Sequence, residues 1–215
     1  MNMRSRVLSE FFGTTFLLMI ICGSGIMGDQ LSERSPAITL LVNSLATGAG
    51  LFVLIGCLAP FSGAHLNPLV SMVDRLNSRM TTLELTLYIT AQLTGALIGV
   101  LLTHAMFDLT LIQTATKARA GTHLFISECI ATFGLIGTIA LTRKKQPEFA
   151  ALTIAAYITS AYWFTSSTSF ANPAVTLARA FTDTFCGIAP DGVFMFSIAQ
   201  IAGAGLAFLF LRGRP

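Results

Sequence analysis

Six apolar runs decide what this chain can become. Val7–Met27, Ala37–Ala59, Leu83–Met106, Thr122–Thr142, Phe149–Ser169 and Val193–Leu211 are each about 20 residues long, the length an α-helix needs to cross the hydrocarbon core of a bilayer. Too few charges remain to make such a chain soluble. Of the 215 residues, 11% are charged and 53% hydrophobic, and mean hydropathy is +0.73, whereas soluble domains carry about 25% charge. The runs are too long for a membrane β-barrel and lack its strict alternation. The expected class is therefore an all-α membrane protein. A soluble enzyme, a disordered chain and a nucleic-acid binder are excluded. The net charge of +3 restores no basic face, because the cations sit between the runs. Short loops leave no room for a soluble domain, so residues 1–215 read as one transmembrane domain. Val7–Met27 follows Arg4 and Arg6 as a signal peptide would. It is longer than a signal h-region and lacks a small-x-small cleavage site, so it is read as a retained span.

The 13 Lys and Arg residues divide unevenly between alternate loops. With a cytoplasmic N-terminus, nine lie inside: Arg4, Arg6, Arg75, Arg79, Arg143, Lys144, Lys145, Arg212 and Arg214. Four lie outside: Arg34, Lys117, Arg119 and Arg179. The positive-inside rule then puts both termini in the cytoplasm of a multi-pass protein.

The two halves, about 1–110 and 120–215, share landmarks in the same order. Glu10-x-x-x-Thr14 returns as Glu128-x-x-x-Thr132, Asn67-Pro68 as Asn172-Pro173, and Ala91-Gln92…Gly95-Ala96 as Ala199-Gln200…Gly203-Ala204, at offsets of 118, 105 and 108 residues. Three ordered matches indicate duplication. Each half holds three spans, an odd number, so the copies run in opposite orientations, as in many transport proteins.

The Asn-Pro segments read locally as helix starts, with Asn as N-cap and Pro at the first helical position. The helices would run from Asn67 to about Leu76 and from Asn172 to about Phe181. Neither is long enough to span a bilayer. A single such segment reads best as the start of a helix in a surface loop. Two at matched places in an inverted repeat read better as re-entrant half-helices meeting near the midplane. Irregular backbone at that depth must be buried or line a wet cavity. Gly63-Ala64-His65 and Ser169-Phe170-Ala171 would then offer carbonyl acceptors, the helix N-termini a positive field, and the Asn amides donors. Such a path suits a neutral polar solute and repels cations.

Ser62-Gly63-Ala64-His65-Leu66-Asn67-Pro68 and Phe170-Ala171-Asn172-Pro173-Ala174 resemble the paired Asn-Pro-Ala boxes of the aquaporin (major intrinsic protein) family. With the six spans, both glutamates and the Ala-Gln…Gly-Ala pairs, the resemblance covers nearly the whole chain. It implies an aquaporin-like fold, six tilted transmembrane helices in an inverted repeat with two re-entrant half-helices, and a homotetramer with one pore per subunit. Asn67, Pro68, Leu69, Asn172, Pro173 and Ala174 would form the central constriction, and Glu10 and Glu128 would brace the folded-in loops. An intramembrane carboxylate needs such a partner, and a proton-coupling role is the rival reading.

Two departures from the family pattern bear on selectivity. Leu69 stands where Ala is usual. Val175 stands where most members carry the Arg of the outer constriction, whose other positions fall by family spacing at Thr47, Ser160 and Ser169. That set holds no aromatic, no His and no Arg, so the expected opening is wide and weakly polar. It favours solutes larger than water without excluding water. Arg179, four residues past Val175, either reaches the outer vestibule or pairs with Asp183. Val175 followed by Thr176-Leu177-Ala178-Arg179 looks like a bacterial branch associated with arsenical resistance genes, which places the chain in a bacterial inner membrane. It also adds neutral trivalent arsenic hydroxide to the candidate solutes.

The remaining motifs are structural or silent. Gly95-x-x-x-Gly99 and Gly203-x-x-x-Ala207 are small-residue faces for close helix packing. Cys22, Cys57, Cys129 and Cys186 show no paired spacing, so no disulfide or metal site is assigned, and only Cys186 lies near the outer mouth. His65 beside the first box reads as a structural, hydrogen-bonded residue. No nucleotide loop, zinc motif or triad is present, and no cofactor is called for. The expected function is a passive channel for water and for solutes of glycerol or urea size. A secondary transporter of a small neutral solute and a non-conducting membrane protein are the alternatives.

Overall fold

The computed structural model describes residues 1–212; Arg214, counted above among the inner cations, lies outside them. Eight α-helices follow one another among the described residues: α1 (Met3–Leu31), α2 (Pro36–Ser62), α3 (Pro68–Leu76), α4 (Thr82–Met106), α5 (Thr122–Lys145), α6 (Ala150–Phe164), α7 (Pro173–Ala178) and α8 (Pro190–Arg212). Five of them, α1, α2, α4, α5 and α8, are long and apolar enough to cross a membrane. α3 and α7 are the two short helices that the Asn-Pro segments open, and a 3₁₀ turn, Arg179–Phe181, extends α7.

The fifth span differs from its expected bounds of Phe149–Ser169. α6 has 15 residues behind a 3₁₀ turn at Pro147–Phe149. That is about 22 Å of helix, short of a hydrocarbon core of about 30 Å. Residues 165–169 leave the helix because their hydroxyls compete for the backbone. Thr165 Oγ1 donates to Ala161 O at 2.6 Å, and Ser167 Oγ accepts from Ser169 N at 3.2 Å. Thr168 and Ser169 then take φ of 63° and 49°, which no helix continues.

The small-residue faces seat the main helix pairs. α4 packs along α1, and α8 along α5. A Cβ at Gly99 would fall on the carbonyl of Thr15, and one at Gly203 on the carbonyl of Cys129. Two polar ends close the bundle. At one, Arg6 pairs with Glu84, while Asp74 at the end of α3 takes Arg79 (3.2 Å) and Arg143 (2.8 Å). At the other, the connection between α4 and α5 pairs with the chain after α7. Ala115 N donates to Ala180 O at 3.0 Å, and Ala189 N to Lys117 O at 2.9 Å.

Candidate pore

The two Asn-Pro segments meet inside the bundle, and each supports the other. Asn67 Oδ1 caps α3 by accepting from Leu69 N at 2.9 Å, and Asn172 Oδ1 caps α7 by accepting from Ala174 N at 3.0 Å. The amide nitrogens cross over. Asn67 Nδ2 donates to Ala171 O and Asn172 Nδ2 to Leu66 O, both at 2.8 Å. Each helix start is thereby tied to the loop that feeds the other.

Those loops hold a costly conformation. Ala64, Leu66, Ser169 and Ala171 lie at φ of 46° to 49°; a non-glycine residue there costs about 1–3 kcal/mol. Two buried carboxylates hold the turned-in amides. Glu10 accepts from His65 N (2.9 Å) and Leu66 N (2.7 Å), and Glu128 from Phe170 N and Ala171 N (both 2.9 Å). Gln92 Nε2 and Gln200 Nε2 add a donor to each, at 2.8 and 2.7 Å, and reach on to Ser71 Oγ and Thr176 Oγ1. Hydrogen bonds to an ionised group contribute about 1.5–3 kcal/mol each, enough to offset the strain. Neither glutamate lines the cavity.

A cavity of about 440 Å³ runs past both asparagines. Its walls are helical stripes of period four: Thr47, Leu51, Ile55 and Ala59 on α2, Ala150, Ile154, Ile158 and Tyr162 on α6, and Leu135, Ile139 and Arg143 on α5. The carbonyl-bearing residues Gly63, Ala64, His65, Ser169 and Phe170 also line it. Ala171 does not, and its carbonyl accepts from Asn67 Nδ2. Of the expected central constriction only Asn67 and Asn172 face the cavity. Pro68, Leu69, Pro173 and Ala174 pack behind it, so the bulk of Leu69 stays off the path.

At one end of the cavity Thr47, Ser169 and Val175 come together, but Ser160 does not join them. Ser160 is exposed on the far side of α6, and its hydroxyl donates to Tyr157 O at 2.7 Å. It sits two residues from Ile158 and from Tyr162, about half a helical turn off the lining stripe. Tyr162 takes the place instead, with its hydroxyl 3.2 Å from Thr47 Oγ1. The signal for it was present in the sequence, as four-residue spacing carried along α6.

Arg179 supplies the second revision. It does not pair with Asp183, which accepts from Thr116 N and Thr116 Oγ1. Its guanidinium lines the cavity at 2% exposure, lies 3.5 Å from the Phe170 ring centroid and donates through Nε to Cys186 O. No carboxylate pairs with it among the described residues. Arg119, which the sequence did not single out, stacks on the same ring at 4.9 Å. Burial, and then the neighbouring Arg179, pull the Arg119 pKa down to about 10. The mouth thus has an aromatic and a cation, unlike the weakly polar opening expected. Ser169 Oγ is buried there with no protein partner.

At the opposite end His65 is clamped, as its structural reading requires. Nδ1 lies 2.9 Å from Ser71 Oγ, Nε2 lies 3.0 Å from Asp74, and the ring meets Tyr88 edge-on.

The chain is similar to known proteins. Residues 1–168 match the family described as Major intrinsic protein. The chain is 44% identical to aquaglyceroporin AqpS of Rhizobium meliloti over 98% of its length and 90% of that protein. It is 28% identical to aquaporin NIP2-1 of rice (Oryza sativa subsp. japonica) over 94% of its length and 67% of that protein. The solved aquaglyceroporin of Plasmodium falciparum superposes with a TM-score of 0.69, at 20% identity, covering 99% of this chain and 97% of that one. The chain belongs to the major intrinsic protein family.

Proposed function

We propose that this protein is a passive channel for water and small uncharged solutes of the glycerol class. The reciprocal Asn67 and Asn172 lock carries the reading, since it holds two helix N-termini against a continuous cavity. Each asparagine spends one amide hydrogen on the opposite loop and keeps the other for a solute. The two helix ends set a positive field at that point, which disfavours cations and leaves neutral hydrogen-bonding molecules to pass. The AqpS likeness supports a polyol-sized solute, and neutral trivalent arsenic hydroxide belongs to the same size and polarity class. We further infer a homotetramer with one pore per subunit, in a bacterial inner membrane with both termini cytoplasmic. Residues 1–110 and 120–215 form its two inverted repeats.

The outer selectivity set is Thr47, Tyr162, Ser169 and Val175, with Arg179 above it. Val175 leaves open the side that an arginine would fill. In proteoliposomes, the wild-type protein should speed swelling in glycerol, urea and arsenite gradients. Val175→Arg should slow glycerol entry about tenfold, a barrier increase of about 1.4 kcal/mol, with a smaller effect on water. An unchanged solute preference in that variant removes the constriction argument. Arg179→Ala should raise cation leak, and an unchanged leak takes Arg179 out of the pore field. Saturable, ion-dependent uphill uptake would identify a transporter instead. Failure to accelerate any swelling would identify a non-conducting membrane protein.

A further inference from the structure

A second cavity, of about 720 Å³, opens at the end of the bundle that holds Asp74, between the last turns of α5 and α8 and the side of α3. Its wall changes character with depth. Ile136 and Ala140 on α5 and Phe208 and Leu211 on α8 make the inner part apolar, whereas Lys144, Lys145 and Arg212 stand at the rim. Along the axis of α5, Ala140 lies about 8 Å and Ile136 about 14 Å below Lys145. The two helices end at Lys145 and Arg212. The rim cations therefore stand where the apolar spans give way to water, at the depth of lipid headgroups, and the apolar wall stands at the depth of acyl chains. Five cations, Arg79, Arg143, Lys144, Lys145 and Arg212, face one carboxylate, Asp74, across this cavity. Asp74 is already committed to Arg79, Arg143 and His65 Nε2. Lys144 and Lys145 are exposed and have no carboxylate within ion-pair distance among the described residues. Arg212 lies over the Phe208 ring at 5.5 Å.

We propose that this cavity binds one anionic phospholipid, its phosphate held by Lys144, Lys145 and Arg212 and an acyl chain laid over Ile136, Ala140, Phe208 and Leu211. The site is independent of the solute that the channel passes. A topology signal asks only for cations in a loop. Here the run Arg143-Lys144-Lys145 lines a cavity, a second helix completes its rim with Arg212, and apolar side chains continue beneath both. That combination matches the two parts of a lipid. Basic pockets between transmembrane helices suit anionic headgroups, and lysine binds phosphate as a point charge. Other occupants fit one part only. Free phosphate leaves the apolar wall bare, and a zwitterionic headgroup brings its own cation to a cationic rim. Arg79 and Arg143 also line the solute cavity and stay with Asp74, so the phosphate falls to the three cations that no carboxylate neutralises.

Detergent-purified full-length protein, mixed with phosphatidylglycerol that carries a photoactivatable diazirine on one acyl chain, tests this by cross-linking and peptide mapping. Label should fall on the last three turns of α5 and the last two of α8. Unlabelled phosphatidylglycerol should compete at roughly tenfold lower concentration than phosphatidylcholine of the same chains. Lys144→Gln with Lys145→Gln should erase that preference. Arg4→Gln with Arg75→Gln removes the same charge from the same end, outside the cavity, and should leave it intact. Ala140→Trp, which fills the apolar wall and spares the rim, should abolish the label and decides the matter should the lysine variant fail to insert. Equal competition by the two lipids overturns the proposal, as does label spread over other helices or label that survives Ala140→Trp. Inorganic phosphate competing as well as phosphatidylglycerol would make this an ion site and overturn it. Cross-linking of two copies through Ala140→Cys, absent with the native cysteines alone, would seat a second copy there with the same consequence.

Discussion

Single side chains carry the unusual backbone of this protein. Glu10 and Glu128 are 0% exposed, and each accepts from two loop amides and a glutamine. A carboxylate suits this task because both oxygens only accept. Gln in its place would turn an NH₂ toward donors and strand at least one buried N–H. Glu10→Gln and Glu128→Gln should therefore each cost about 3 kcal/mol, which lowers the unfolding midpoint in detergent by roughly 6–12 °C. An unchanged midpoint in either variant shows that the loop conformation does not depend on that glutamate. The glutamates were legible in the sequence because they recur at matched places and the family resemblance implies their bracing role, in agreement with the demand of a buried charge for a partner. Arg119 was not legible. Its site is made of carbonyls at Ser167 and Gly187 and the ring of Phe170, all far along the chain, and nothing local marks it.

At the scale of elements, the close helix pairs rest on backbone approach rather than side-chain volume. Gly203 and Gly205 sit two residues apart on α8 and test this directly. A Cβ at Gly203 meets the Cys129 carbonyl and Cα, whereas one at Gly205 meets nothing within 4 Å. Gly203→Ala should destabilise by about 1–3 kcal/mol, because neither backbone can yield. Gly205→Ala should be neutral or stabilise by up to about 1 kcal/mol through helix propensity. Thermal unfolding of the two variants side by side checks it, and equal midpoints would mean that the pairs are not held by this contact. Elements were also where the sequence spoke most clearly. Five spans and both half-helices follow from apolar length and Asn-Pro capping. α6 did not, because apolar content persists through Tyr162-Trp163-Phe164 and the Ser/Thr run behind it carries no Gly or Pro to mark a stop. The same uncertainty in register put Ser160 where Tyr162 stands.

On the scale of the whole molecule, charge is sorted by end, and the sorting has two different uses. One end gathers Arg6, Arg79 and Arg143, each held by Glu84 or Asp74. The other gathers Lys117, Arg119 and Arg179, which have carbonyls and aromatic rings as partners instead of carboxylates. Burial and the two neighbouring arginines pull Lys117 down to about 8, the electrostatic sign of that crowding. A cation neutralised by an ion pair adds little field to the pore, whereas one held by a carbonyl keeps its charge. The end with paired cations also carries Lys144, Lys145 and Arg212, a surplus of the kind the positive-inside rule associates with a cytoplasmic face. We propose that this asymmetry sets the orientation, and that the few uncompensated cations at the second end contribute to selectivity. A green fluorescent protein fused after residue 215 should fluoresce in a bacterial host, because it matures in the cytoplasm, and an alkaline phosphatase fused at the same point should be inactive. The opposite pair of results would put Lys117, Arg119 and Arg179 inside the cell, and with them the cavity end lined by Thr47, Tyr162 and Val175.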